Sequence, residues 1–321
     1  ASTYLTDCVE SGGVTLSTNM SDSVRYHAMA NTDYPTGCRL DAPHVSLQGE
    51  TVMPESLITS IQPHYQVAHA PDLPEYFRYA LRVAAPLVAL GVNSPFFPPD
   101  CYDDASPGTI VDDAHMEHRI GVFESVLNPP PGHDEAPKVC FPPDFDTVEA
   151  AIDAVAADRT IVPMDVGDGD RFDDRFAHFR HKHGSYWRWI RPVFDGPTRS
   201  AANARIEFRP LPAQPTIRDA IAFQAVFAGL MESMRQHEHP VRRLDWATAE
   251  ANFYAAARDG LEADLEWIGA DGEGATSVEE ICSECFEYAR DGLELRGLTT
   301  AQARRYVRPL RERLDRRMTP A

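Results

Sequence analysis

Between residues 205 and 209 charged and apolar side chains alternate: Arg205, Ile206, Glu207, Phe208, Arg209. Successive side chains of a β-strand point to opposite faces. The spacing therefore predicts a strand whose Ile206 and Phe208 face a core while a carboxylate flanked by two guanidiniums lines the other surface. An exposed strand with weak surface ion pairs has the same pattern, so this segment alone does not separate a polar binding floor from ordinary surface. A second alternating stretch, "SIQPHYQVA" from Ser60 to Ala68, puts Gln62, His64 and Gln66 on one face. Pro63, which cannot donate to a ladder, argues against a central position. A third, in "HKHGSYWRWIRPVF", sets Tyr186, Arg188 and Ile190 opposite Trp187, Trp189 and Arg191.

Helical patterns lie between and after these strands. Asp72 can cap a helix that opens with Pro74 in its first turn and runs to about Gly91, apolar nearly all round and hence buried. Pro95, Pro98 and Pro99 then force an extended loop. "HMEHRIGVFESVLNP" reads as a further strand, and two breaker-rich stretches bracket a helix at about 147 to 157. Thr216, with Asp219 three residues on, opens another helix through a variant of the capping box. Beyond about residue 240 the pattern is helical throughout, with starts near Asp245, Thr276 and Thr299. The first fifty-odd residues, rich in turn formers, read as loops with short strands. The expected fold is α+β: an antiparallel sheet with packed helices over residues 1 to 238, completed by a helical region from 239 to 321.

Composition adds a solvent and excludes partners. The 321 residues are 43% hydrophobic, enough for a sizeable core. Asp and Glu number 49 against 30 Lys and Arg, a net charge of −19, and the only lysines are Lys138 and Lys182. That field repels nucleic acid and anionic membranes, and no basic patch stands out in the sequence. Abundant carboxylates with almost no lysine resemble cytoplasmic proteins of salt-loving archaea and bacteria, in which molar salt shortens the Debye length to about 3 Å. No apolar run reaches the roughly 20 residues of a membrane span, and the first residues lack a signal-peptide pattern, so a cytoplasmic protein is expected. The six cysteines are scattered, and the single C-x-x-C at Cys282 and Cys285 is weak as a metal or redox motif. A helix there puts Ile281, Cys285 and Tyr288 on one apolar face, which makes Cys285 a core residue first.

Three segments in order, "SIQPHYQVA", the buried helix ending in "ALGVNSPF", and "RIEFRPLPAQPTIRDAIAF", resemble the glutamate-cysteine ligase family that includes the plant and proteobacterial enzymes and related bacterial carboxylate-amine ligases. The resemblance covers about residues 55 to 235 and implies a catalytic domain similar to that of glutamine synthetase. In such a domain the concave face of a curved antiparallel sheet binds ATP, Mg²⁺ and an amino acid. It implies a reaction in which ATP phosphorylates the γ-carboxylate of glutamate and the amine of cysteine, or another amine, displaces phosphate. Glu207, His64 and Gln66 fall where metal ligands are expected. Arg209, Arg205 and Arg119 fall where phosphate or the substrate carboxylate is held, with Glu124 close to Arg119 in sequence. Asn93, Ser94, Gln62, Tyr186, Trp187 and Arg188 fall on the nucleotide side.

Each has a plainer reading: a core histidine for His64, a helix cap for Asn93, core aromatics for Trp187 and Trp189. The Gly-x-Glu-x-Glu strand with which the family opens is absent from residues 1 to 59: either the sequence is a piece of a longer polypeptide or the strand has been lost, and the second case brings in a non-catalytic amino-acid- or nucleotide-binding relative as the alternative. A metal hydrolase built on His64, His115 and His118 ranks last, because "HMEH" falls short of HExxH.

Overall fold

The computed structural model describes residues 28, 38–49, 58–129, 132, 134–162, 165–167 and 169–321. Most of residues 1 to 59, where the family's acidic opening strand is expected, lies outside the described residues, as does Cys8.

The chain enters through an antiparallel hairpin, β1 (Cys38–Ala42) and β2 (Val45–Gly49), whose turn holds His44 at a positive φ of 60°. A short strand β3 (His64–Gln66) follows, with Ser60 making an isolated bridge to Pro212. The single long helix expected after it is two: α1 (Leu73–Arg82) and α2 (Ala84–Gly91), parted at Val83. Pro86 is the physical cause. It has no N–H for the carbonyl of Arg82, and its ring crowds that carbonyl. Every residue of α2 is buried, as its uninterrupted apolar composition requires.

Helix α3 (Pro107–Asp113) is short and capped by the Ser106 hydroxyl, which accepts from Thr109 N. The strand expected in "HRIGVFESVL" is instead a helix, α4 (His118–Leu127). Ile120 and Val122 alternate, but the buried Val126 and Leu127 recur at helical spacing, and that longer period prevails. Helix α5 (Val148–Ala157) lies where breakers bracketed it, capped by Thr147. Helix α6 (Ala177–Gly184) takes the first half of the third alternating stretch, so the strand β4 (Ile190–Asp195) begins only at Ile190.

Strand β5 (Asn203–Phe208) takes in most of the alternating segment Arg205–Arg209, and its apolar side chains Ile206 and Phe208 are fully buried. It lies at the centre of a three-stranded antiparallel sheet of order β3-β5-β4. Helix α7 (Ile217–Ser233) opens with Thr216 accepting from Asp219 N and donating to its carboxylate. Helix α8 (Trp246–Asp259) starts at an Asp245 cap.

The C-terminal region is not helical throughout. A second hairpin, β6 (Asp264–Ile268) and β7 (Gly274–Ser277), interrupts it, with Leu265 and Trp267 turned inward and Gly272 at a φ of +84° in the turn. Helix α9 (Val278–Leu295) starts after Ser277, one residue beyond Thr276 and without a side-chain capping bond, and α10 (Thr300–Arg316) carries a full capping box of Thr299 and Gln302.

One hydrophobic cluster runs through the described residues, drawing on Phe77 and Leu87 as well as Phe286 and Leu310. Its tightest joint is the crossing of α7 and α9. A Cβ on Gly229 would stand 2.1 Å from the carbonyl oxygen of Ala289, and one on Gly292 would stand 1.8 Å from the carbonyl oxygen of Gly229. The two backbones touch directly. Cys285 is buried, as expected for a core residue, and so is Cys282. Among the described residues no helix is long and apolar enough to cross a membrane.

Candidate functional site

Antiparallel pairing places directly opposed residues on the same face. His64 of β3 and Arg191 of β4 both stand opposite Glu207 of β5, and Gln66 stands opposite Arg205. Ile206 and its partners Tyr65 and Pro192 occupy the other, core-facing side. The sheet therefore assembles a polar row, His64–Glu207–Arg191, from three segments far apart in sequence.

Glu207 is the electrostatic centre of this face. It is only 3% exposed. One carboxylate oxygen accepts from Arg191 Nε at 2.6 Å, and the other lies 3.4 Å from Arg209 Nε. Burial pushes its carboxyl upward, but Arg191 and Arg209 outweigh that and hold it below the usual carboxylate range. Arg191 is fixed in turn by the carbonyls of His183 and Tyr186, at 2.9 and 3.1 Å. Arg205, nearer the open edge, donates from Nε to His64 Nδ1 at 3.1 Å and reaches Asn203 Oδ1 at 3.2 Å and Asp195 Oδ2 at 3.4 Å. His64 therefore presents its Nδ1 as an acceptor, and desolvation keeps its pKa below the ordinary value despite the pull of Glu207.

The remaining candidates surround the exit of β5. Arg119 is buried, its Nη2 bonded to the carbonyl of Pro210 and 3.4 Å from that of Arg209, with its guanidinium 5.1 Å from the Trp189 ring. It braces the backbone that carries Arg209. Arg209 itself reaches the Arg188 carbonyl at 3.4 Å. Asn93 ties the end of α2 to the same loop by donating to Ala213 O at 2.7 Å, and Ser94 exchanges backbone bonds with Met116 and His118.

Arg188 lies 4.5 Å over the Tyr186 ring and is clamped by Asp158 and the carbonyl of Lys138, whose own ammonium is bonded to Asp158. Trp187 is buried beside Phe123. Gln62 is exposed and donates to Ser60 Oγ at 3.1 Å. The sheet thus brings Glu207, His64, Gln66, Arg205 and Arg209 together; Arg119 and Asn93 meet the Arg209–Ala213 backbone from behind; Tyr186, Trp187 and Arg188 form a packed corner beside them.

Two residues of this neighbourhood were missed in the sequence. Arg191 had a visible signal, the alternation in "WRWIR", but its opposition to Glu207 depends on strand register. Glu117 had none. It is wholly buried against the extended Asn93–Ser94 segment, whose Ser94 forms an isolated parallel bridge with it, accepts from Asn93 N at 2.8 Å, keeps one oxygen without a hydrogen bond, and is pushed upward in pKa by burial.

The resemblance implies Mg²⁺, and the described donor set does not fit it. Both oxygens of Glu207 face guanidiniums, and His64 Nδ1 already accepts from Arg205. Among the described residues no three His, Cys, Asp or Glu side chains are grouped as a metal site would need. The hydrolase reading of His64, His115 and His118 fails on the same observation: His115 and His118 stack at 5.3 Å, but no third ligand joins them among the described residues. Two guanidiniums at Glu207, with the more exposed Arg205 beside them on the same face, suit an anion such as a phosphate or carboxylate bound in bidentate fashion.

The family model for glutamate-cysteine ligase family 2 (GCS2) matches residues 14–321. The chain belongs to this family. No curated protein matches it. Among solved structures it is similar to the Pup ligase PafA of the prokaryotic ubiquitin-like modification pathway in complex with ADP, at 13% identity and a TM-score of 0.43, over 97% of this chain and 54% of that one. The chain thus spans about half the length of that ligase.

Proposed function

We propose that the chain acts as an ATP-dependent carboxylate-amine ligase, joining the γ-carboxylate of glutamate to an amine, with cysteine the first candidate. The observation that carries this reading is the arginine-flanked Glu207 on the polar face of the sheet, in a chain of glutamate-cysteine ligase family 2. In such a reaction the γ-phosphoryl group of ATP moves to a carboxylate oxygen. The amine nitrogen then attacks the acyl carbon, phosphate leaves with the C–O electron pair, and the amine loses a proton. Negative charge gathers on phosphoryl oxygens in the first step and on the tetrahedral carbon's oxygen in the second. Preorganised guanidiniums stabilise both without moving.

Arg205 is suited to the incoming anion because it is the most exposed of the three guanidiniums and is held by neutral and weakly paired partners. Arg209, fixed against Glu207, orients it. Arg191 keeps Glu207 ionised. ATP is the cofactor of this reading. Mg²⁺ has no ligand set of its own among the described residues of this face, and no step is routed through it. The curvature of the sheet and the nucleotide roles of Asn93, Ser94, Gln62, Tyr186, Trp187 and Arg188 belong to the same proposal.

The test is release of phosphate from ATP with glutamate and each of a set of amines, in molar KCl with and without added Mg²⁺, together with mass detection of the amide. Amide formation that falls at least about a hundredfold in Arg205→Ala supports the proposal. Nucleotide or glutamate binding without turnover under every pairing overturns it in favour of a non-catalytic binding relative. The lack of a carboxylate cluster among the described residues favours that second reading.

A further inference from the structure

The second concentration of arginine in this acidic chain lies outside the sheet. A groove of about 790 Å³ between α9 and α10 is lined by Arg290, Arg304, Arg305, Arg308 and Arg311, with Glu287 the single carboxylate among its walls. Arg304, Arg305, Arg308 and Arg311 stand in a stretch without an acidic residue, a local basic patch that the net charge of the chain hides, whereas Arg290 lies among carboxylates on the other helix. The packing of the two helices faces them toward one space.

The five are not equivalent. Arg290 pairs with Glu287 and with Asp291 at 3.1 Å, Arg308 with Glu312 at 3.5 Å, and Arg311 with Glu287 at 3.1 Å. Arg304 and Arg305 are exposed and form no ion pair with any described residue, in a chain with 49 carboxylates to offer. Arg304 and Arg308, four residues apart, are neighbours on the surface of α10, where like charges repel. Beneath the arginines Phe286 and Val307 form an apolar floor, with the Arg311 guanidinium 5.2 Å over the Phe286 ring. The volume is that of a small-molecule site.

We propose that this groove binds a multivalent phosphate-bearing anion, with Arg304 and Arg305 as its unneutralised donors and Arg290, Arg308 and Arg311 as the surrounding field. Guanidinium forks match phosphate oxygens in pairs, and an apolar floor lowers the competing hydration. The site shares no residue with the polar face of the sheet and stands whether or not the ligase reading does. A nucleotide and an inorganic polyphosphate offer the same chemistry.

Calorimetric titration of the full 321-residue chain with inorganic triphosphate and with ADP tests it, at the lowest KCl at which circular dichroism reports the native fold. Arg304→Ala/Arg305→Ala is compared with Arg199→Ala/Arg243→Ala, which removes the same charge at two exposed positions elsewhere, and with Arg205→Ala on the sheet. The groove variant is expected to weaken triphosphate binding at least about tenfold and the exposed control less than about twofold. Tighter ADP than triphosphate identifies a nucleotide; the reverse identifies a polyphosphate.

Equal weakening in groove and control variants overturns the site as a general field effect. Loss of binding in Arg205→Ala alone assigns the anion to the sheet and overturns it too. Hexaglutamate binding as tightly as triphosphate replaces the phosphate ligand with an acidic protein segment. Should the double variant lose its fold, the single variants Arg304→Ala and Arg305→Ala carry the same comparison.

Discussion

At the scale of single residues, stability and function part company on the sheet face. Glu207→Ala would leave Arg191 and Arg209, both largely buried, facing each other without the carboxylate between them. A cost of roughly 3 kcal/mol is expected from breaking such a buried group, read as a lower midpoint in urea. Arg205 is more exposed and its partners are longer contacts, so Arg205→Ala is expected to cost under about 1 kcal/mol while lowering amide formation at the sheet face and leaving the α9–α10 groove intact. Glu124 gives a second case, in which pH is the probe. Burial among Trp189 and Tyr254, which both donate to the same oxygen, raises its pKa to about 7. The unfolded chain ionises this group near the ordinary value and the folded chain only near 7, so the folded state binds more protons in between. Stability therefore falls as pH rises from about 4.5 to 7, by as much as about 3 kcal/mol, and the loss is complete above that window. Glu124→Gln keeps the acceptor for both donors. It should match the parent near pH 4.5 and exceed it at pH 8 in thermal midpoint. Glu207 and Arg209 were legible as a pair because β-strand parity needs only local sequence. Arg191 and Glu117 were not, because cross-strand register and burial against a segment more than 20 residues away are tertiary facts.

Elements were legible where a cap and a period agreed. Thr216, Asp245 and Thr299 each announced a helix, and each side chain accepts from the backbone N–H three residues on. The failures have equally local causes. Pro86 divides a helix whose apolar run looked continuous, α4 overrides a short alternation, and the β6–β7 hairpin stands where Leu265 and Trp267 alternate within a longer helical context. What no periodicity could disclose is the contact of α7 with α9. A glycine in a helix interior usually marks lost stability, yet Gly229 and Gly292 are where the two backbones meet. Gly229→Ala and Gly292→Ala each place a methyl group against a carbonyl that cannot rotate away. The expected cost is about 3 kcal/mol or more for each, although alanine is the better helix former. Gly121, on α4 with open space at its Cβ position, is the control: Gly121→Ala should stabilise by up to about 1 kcal/mol. Thermal melts of the three variants decide it, and equal shifts would remove the close crossing as the cause.

For the whole molecule the governing quantity is charge. A net −19 on 321 residues means that folding compresses like charges, and both lysines are committed to internal bonds, Lys138 to Asp158 and Lys182 to the carbonyl of Ala156. Arginine supplies the rest, and most described arginines sit against a nearby carboxylate, so the excess acid faces solvent. Two mechanisms by which salt could stabilise such a surface predict different curves. Screening acts through the Debye length, which falls from about 10 Å at 0.1 M to about 3 Å at 1 M and little thereafter. Exclusion of ions from the surface grows steadily with concentration. If self-repulsion is what salt relieves, the thermal midpoint in KCl should rise by at least about 5 °C up to 1 M and then flatten. Sucrose at matched osmolality, which screens nothing, should reproduce little of that rise. A midpoint that climbs in a straight line through 3 M KCl, or equally in sucrose, would assign the effect to exclusion. The acidic surface would then be a matter of solubility rather than of folding.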